Sequence, residues 1–102
     1  MGNLFEWDPA KAASNVRKHG ISFEVATRVF SDPHAITLQD VTERDESRWL
    51  TVGMVSGLAI VVVVHAGREI VEDGRPVEVI RIISARSAVR KERRRYEQEN
   101  DC

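Results

Sequence analysis

The sequence predicts an α+β fold with two N-terminal helices, a three- to four-stranded antiparallel sheet and a C-terminal helix. Three observations carry this prediction. Helix start and stop signals fall in the first third of the chain. From residue 48 the apolar residues form strand-like runs rich in Val and Ile. The connections between those runs are short, which favours antiparallel pairing over parallel crossovers. The chain has 102 residues, 42% hydrophobic and 30% charged, an ordinary globular composition. One domain is expected over residues 1–102.

Each element has a local reason. Phe5-Glu6-Trp7 reads as a short edge strand. Asp8 is a good N-cap and Pro9 suits the first helical position, so a helix is expected to run to Lys18 or His19 and to stop at Gly20, a residue that accepts the left-handed cap conformation. Ser22 is expected to cap a second helix over 23–30, ended by Asp32-Pro33. A weak strand over 35–41 precedes stronger ones over 48–56, 58–66 and 77–85, with Gly67 and Asp73-Gly74 marking the last connection. Ser87 is expected to cap a final helix reaching Glu99.

The formal net charge is −1, whereas a general polyanion binder is more basic. The charge is unevenly spread, however. Residues 81–95 hold seven basic residues against the single acid Glu92, while residues 40–46 hold Asp40, Glu43, Asp45 and Glu46 against Arg44. A positive face of this kind suits nucleic-acid phosphates; a solvated helix with internal ion pairs gives the same pattern. The single cysteine, Cys102, allows no intramolecular disulfide. The longest apolar run, 58–64, is far short of the ~20 residues a membrane span needs, and no signal peptide pattern is seen. A cytoplasmic protein without membrane association is expected.

No metal or cofactor is expected. His19, His34 and His65 are scattered, the acids of 40–46 lack the glycine turn of a calcium loop, and there is no Walker loop or GxGxxG. The candidate chemistry lies in cations. Lys11, Asn15, Lys18 and His19 share one side of the first helix, with Ala12, Ala13 and Val16 on the other, core-facing side. Arg48 and Arg81 interrupt apolar strand faces, Arg68 follows the central strand and Arg86 the last one. Guanidinium groups bind phosphate bidentately and stay charged at any working pH. Sites made of Arg, Lys and His suit RNA cleavage by transesterification, in which the substrate's own 2′-OH is the nucleophile and the protein supplies in-line positioning, cations and proton transfer.

Phe5-Glu6-Trp7-Asp8-Pro9, Lys11, Asn15 and Lys18-His19-Gly20-Ile21-Ser22-Phe23 closely resemble the start of BrnT-family toxins; Arg81-Ile82-Ile83-Ser84-Ala85-Arg86, Glu92-Arg93-Arg94 and Tyr96-Glu97 resemble their end. The resemblance implies a RelE-like fold and a metal-independent endoribonuclease that inhibits translation. It also implies a cognate antitoxin with a ribbon-helix-helix DNA-binding part, through which the complex meets operator DNA. Lys18, His19, Arg81 and Arg86 match its motifs, Arg48 after Glu46 resembles a middle Glu-x-Arg element, and Arg68 the arginine after the apolar strand. The acid or base is either His19 or His65. The alternative is a non-catalytic, toxin-like module that binds RNA or protein.

Overall fold

The computed structural model describes residues 3–40, 48–57 and 59–100. Val41, Glu43, Arg44, Asp45, Glu46, Leu58 and Cys102, which figured in the sequence reading, lie outside the described residues. The elements are β1 (Asn3–Glu6), α1 (Pro9–His19), α2 (Phe23–Ala26), a 3₁₀ segment (Thr27–Ser31), β2 (Ile36–Gln39), β3 (Arg48–Val55), β4 (Ala59–Glu72), β5 (Arg75–Ser87) and α3 (Arg90–Glu99).

The sheet differs from the expectation of three or four antiparallel strands. It has five strands in the order β1-β5-β4-β3-β2, and β1 runs parallel to β5. Strands β1 and β2 are the two edges of this sheet, and α1, α2 and the 3₁₀ segment carry the chain from one edge to the other, which leaves β1 beside the last strand, β5. Strands β4 and β5 are also longer than their apolar runs. Asp73 and Gly74 both take positive φ (51° and 76°) and close a two-residue turn, so pairing continues through Gly67 and down to Glu72 opposite Arg75. The stretch Arg68–Glu72 looks like a loop in sequence because much of it is solvated, not because it is unpaired.

The helix signals hold in part. The Asp8 carboxylate accepts the Ala10 N–H, and Gly20 closes α1 in the left-handed conformation at φ 72°. Ser22 caps α2, but the expected helix over 23–30 tightens to 3₁₀ geometry from Thr27 onward. That tightened segment brings Val29 onto Gly53 of β3, where an added Cβ would stand 2.9 Å from the Val29 side chain and 3.2 Å from its carbonyl oxygen. Ser87 is not the cap of α3; it ends β5, and the N-cap of the helix is Val89. Ala88 N–H is held by the Ile60 carbonyl at 2.9 Å, which keeps the chain on the sheet past Ser87.

Two cores lie on the two faces of the sheet. On one, Phe23, Ala26 and Val29 meet Val55, Val61, Val63, Ile82 and Ala85. On the other, Tyr96 and Ala88 cover Val52 and Val62. Asp32 ties both sides to the end of β3: its carboxylate accepts the Met54 N–H at 2.8 Å and the Tyr96 hydroxyl at 2.6 Å.

Candidate active site on the arginine face of the sheet

Register aligns the strand arginines. Arg48 stands opposite Ala66, Ala66 opposite Arg81, and Arg81 opposite Glu6, forming one row across β3, β4, β5 and β1. Directly opposed residues point to the same face. Arg68, two residues beyond Ala66, joins that face, which is the one α3 covers further along. Arg86 lies opposite Val62 on the same face, nearer α3. The four strand arginines named in the sequence are therefore brought to one side of one sheet.

Glu6 organises two of them. Its carboxylate accepts Arg68 through two bonds, at 2.5 and 3.3 Å, and meets Arg81 at 3.5 Å. The Arg68 bond is the main cause that holds the Glu6 carboxyl below the usual carboxylate range. Two cations share one anion, so the cluster keeps a positive surplus, and both guanidiniums remain about half exposed (57% and 49%). Arg86 is more firmly held: Glu92 takes both its Nη atoms, at 2.7 and 2.8 Å, and this pairing lowers the Glu92 carboxyl and raises Arg86 further. Sequence reasoning did not identify Glu6 or Glu92 as counter-ions. The Arg68–Glu6 contact spans 62 positions, and no local pattern announces it.

Lys18 and His19 sit at the margin of this face. Strand β1 covers β5 only from Glu78 to Arg81; beyond it, α1 lies against β5. Asn15, grouped in the sequence with the polar stripe, is buried there and substitutes for a strand, whereas Val16, expected on the core-facing side, is 47% exposed. The Asn15 side chain accepts the Ala85 N–H at 3.1 Å and donates to the carbonyls of Ala85 and Ile21 at 2.8 and 2.9 Å. The rest of the stripe, Lys11, Lys18 and His19, lines a shallow hollow with Ser84 and Ile83. Ser84 stands opposite Val64 and so shares the arginine face.

His65 points the other way. It is opposite Trp49 on the face that carries the 3₁₀ segment, its Nε2 lies 2.7 Å from Thr51 Oγ1, and the Phe30 ring meets it edge-on at 4.9 Å. Burial pushes its pKa down to about 4, so the ring is neutral at pH 7. Of the two candidate proton-transfer histidines, only His19 borders the arginine face. Among the described residues, no group of three or more His, Cys, Asp or Glu is placed to hold a metal ion.

A family model described as the ribonuclease toxin BrnT of type II toxin-antitoxin systems matches residues 7–92. The chain belongs to the BrnT family of ribonuclease toxins. The crystal structure of the Brucella abortus ribonuclease toxin BrnT, at 1.1 Å resolution, is similar: 26% identical, TM-score 0.61, with 87% of this chain and 100% of that one covered. No curated protein matches the chain. BrnT membership accounts for the α+β fold with N-terminal helices, a five-stranded mixed sheet and a C-terminal helix, and it implies a cognate antitoxin. Among the described residues, no helix is long and apolar enough to cross a membrane.

Proposed function

We propose that this BrnT-family toxin, RelE-like in fold, cuts RNA without a metal ion, by transesterification through the substrate's 2′-OH, and thereby inhibits translation in the cytoplasm. The observation that carries this reading is the convergence of Arg68 and Arg81 on one carboxylate, in one row with Arg48. Guanidiniums that grip a carboxylate are equally disposed to grip a phosphate. An RNA phosphate displaces Glu6 and takes over its contacts. Arg48, Arg68, Arg81 and Arg86 then stabilise the pentacoordinate phosphorane, where each preorganised cation typically contributes a few kcal/mol. Lys18 holds the backbone at the sheet margin, and His19 beside it, the candidate histidine that borders this face, takes the proton of the attacking 2′-OH and returns it to the departing 5′-oxygen as the P–O5′ bond breaks, leaving a 2′,3′-cyclic phosphate and a 5′-OH. The cognate antitoxin carries a ribbon-helix-helix part and brings the complex to operator DNA.

The test is cleavage of an RNA oligonucleotide by the purified protein in excess chelator, beside a copy with deoxyribose at the cut position. The RNA should be cut and the deoxy copy bound but intact. Loss of cutting in chelator with rescue by magnesium overturns the mechanism. A second reading, a toxin-like module that binds RNA or protein without cutting, draws on the engagement of Arg68, Arg81 and Arg86 by Glu6 and Glu92; retention of intact RNA in the same assay would favour it.

A further inference from the structure

The face of the sheet opposite the arginines carries a second feature that the ribonuclease reading does not use. Beyond Phe30, a cleft of about 470 Å³ opens over β2 to β5, lined among others by Thr37, Trp49, His65, Glu69 and Glu78. Glu69 and Glu78 are directly opposed partners on β4 and β5. Like charges in that arrangement repel and destabilise a sheet, yet no cation among the described residues pairs with either. Arg68 reaches the rim of the cleft, but its guanidinium is turned to Glu6 on the other face. The Glu78 carboxylate leans over Gly67, whose Cβ, if it had one, would lie 3.5 Å from Oε2.

A second, independent observation comes from His65. It is 93% buried, lines the same cleft, and commits Nε2 to Thr51, which is in turn bonded to Thr37 at 2.9 Å. Its Nδ1 has no hydrogen-bond partner. Buried polar atoms are nearly always paired, so the wall of this cleft holds hydrogen-bonding capacity that the described residues leave unused. The remaining wall is aromatic: Trp49 is 39% exposed, and Phe30 stands beside it in the lining.

Two unpaired carboxylates, an exposed indole and a buried orphan nitrogen fit a planar, flat-faced cation. They repel a phosphate backbone. A guanidinium is the group that bridges carboxylates bidentately and stacks on tryptophan. We infer that this cleft receives an arginine side chain of the antitoxin, between Glu69, Glu78 and Trp49. The inference rests on the reading of the chain as a toxin paired with an antitoxin. The cleft and the arginine row lie on opposite sides of the same stretch of β4 and β5, Gly67 and Ile80 lining one side and Ala66 and Arg81 the other. A partner segment passing the β2 side of the sheet would meet Thr37, which lines the cleft, on one face and the row begun by Arg48 of the neighbouring β3 on the other.

The experiment is a binding titration of the purified antitoxin against wild-type toxin, the Glu69→Gln/Glu78→Gln double variant and Trp49→Ala. RNA cleavage by each toxin is measured alone. The double variant should bind antitoxin at least tenfold more weakly, with a shallower salt dependence, and should cut RNA at the wild-type rate. Its melting temperature should hold or rise, because the like-charge pair is gone. Antitoxin binding within twofold of wild type for both variants overturns the proposal, as does a loss of RNA affinity with antitoxin binding unchanged, which would make the cleft a nucleobase site. A wild-type toxin that binds antitoxin but does not cut RNA overturns the ribonuclease mechanism and leaves this test intact.

Discussion

Glu92 grips Arg86 with both carboxylate oxygens while its Oε1 also accepts the Val89 N–H at 2.9 Å. One acid therefore holds a candidate phosphate ligand and caps the helix that follows it. Val89 offers no side-chain acceptor, so the start of α3 depends on Glu92, three residues in, reaching back. The basic run of α3 is thus joined to the last strand through a single carboxylate.

Arg86→Ala should lower RNA cleavage and relieve growth inhibition by about 10- to 100-fold, the worth of one charge-assisted contact. The fold should persist, because Glu92 still caps Val89 and Tyr96 still anchors α3. Arg86→Lys should stay impaired, since a point charge does not replace the fork. Glu92→Gln keeps an acceptor for Val89 but weakens the ion pair. It should cost about 1–2 kcal/mol in urea unfolding and leave cleavage intact. Unfolding of Arg86→Ala by circular dichroism would make Arg86 a structural residue.

Glu6→Gln should strengthen RNA binding a few-fold. It removes the anion that Arg68 and Arg81 share, so a phosphate no longer competes with a resident carboxylate. Anisotropy titrations with a labelled, non-cleavable RNA over a range of salt give the check. Arg68→Ala and Arg81→Ala should each flatten the slope of affinity against salt by about one phosphate contact. Equal slopes for wild type and both alanine variants would remove these residues from the RNA surface.

Local chemistry was legible in the sequence, and long-range pairing was not. Asp8, Pro9 and Gly20 bound α1 as their conformational preferences require, and Asp73-Gly74 marks a true turn. The parallel contact of β1 with β5 has no local signal, since four residues next to a helix say nothing about which edge they join. Asn15 shows the same limit at the site. Its spacing placed it with Lys11 and Lys18, but the uncovered edge of β5 needs a hydrogen-bonding partner, and a buried amide supplies both donor and acceptor. The arginines at positions 48, 68, 81 and 86 were legible because charged residues in apolar strands are conspicuous. Their common face followed only from the register.

Acid should weaken the fold through His65. Burial holds its folded pKa at about 4, below the ordinary 6.5. Between those values the unfolded chain takes a proton that the native state refuses, so stability falls as pH drops from about 6.5 towards 4, by up to about 3 kcal/mol. Above pH 6.5 both forms are neutral and the term vanishes. Urea unfolding of wild type and His65→Gln at pH 7.5 and 4.5 isolates it. The variant should lose distinctly less stability on acidification, and parallel losses would refute the assignment.

Tyr96→Phe should destabilise the protein by about 1.5–3 kcal/mol, the net worth of one hydrogen bond to a charged acceptor. Burial, together with the Asp32 bond, pushes the Tyr96 hydroxyl up to about 12. Asp32→Ala should cost more, because it also strips the Met54 N–H and the His34 N–H of their acceptor. Equal losses for the two variants in urea unfolding would mean that the carboxylate contributes only through Tyr96.

A cationic surface that cuts RNA has to be covered while the host grows. Arg48, Arg68, Arg81 and Arg86 share one face with Lys11, Lys18 and His19 at its margin, while Glu6 neutralises only part of that charge. An acidic segment of the antitoxin is the complement of such a surface and uses the same guanidiniums that phosphates would use. Association should be fast at low salt and slow as salt rises, because several charges of one sign steer the encounter. RNA with deoxyribose at the cut position, retained by wild-type toxin, should be released in step with added antitoxin, one site displacing the other. Glu6→Gln should tighten the antitoxin as it tightens RNA, since both compete with the same resident carboxylate. If antitoxin-bound toxin holds RNA with unchanged affinity, the masking surface lies off the arginine face, and inhibition acts by some route other than competition for the phosphate ligands.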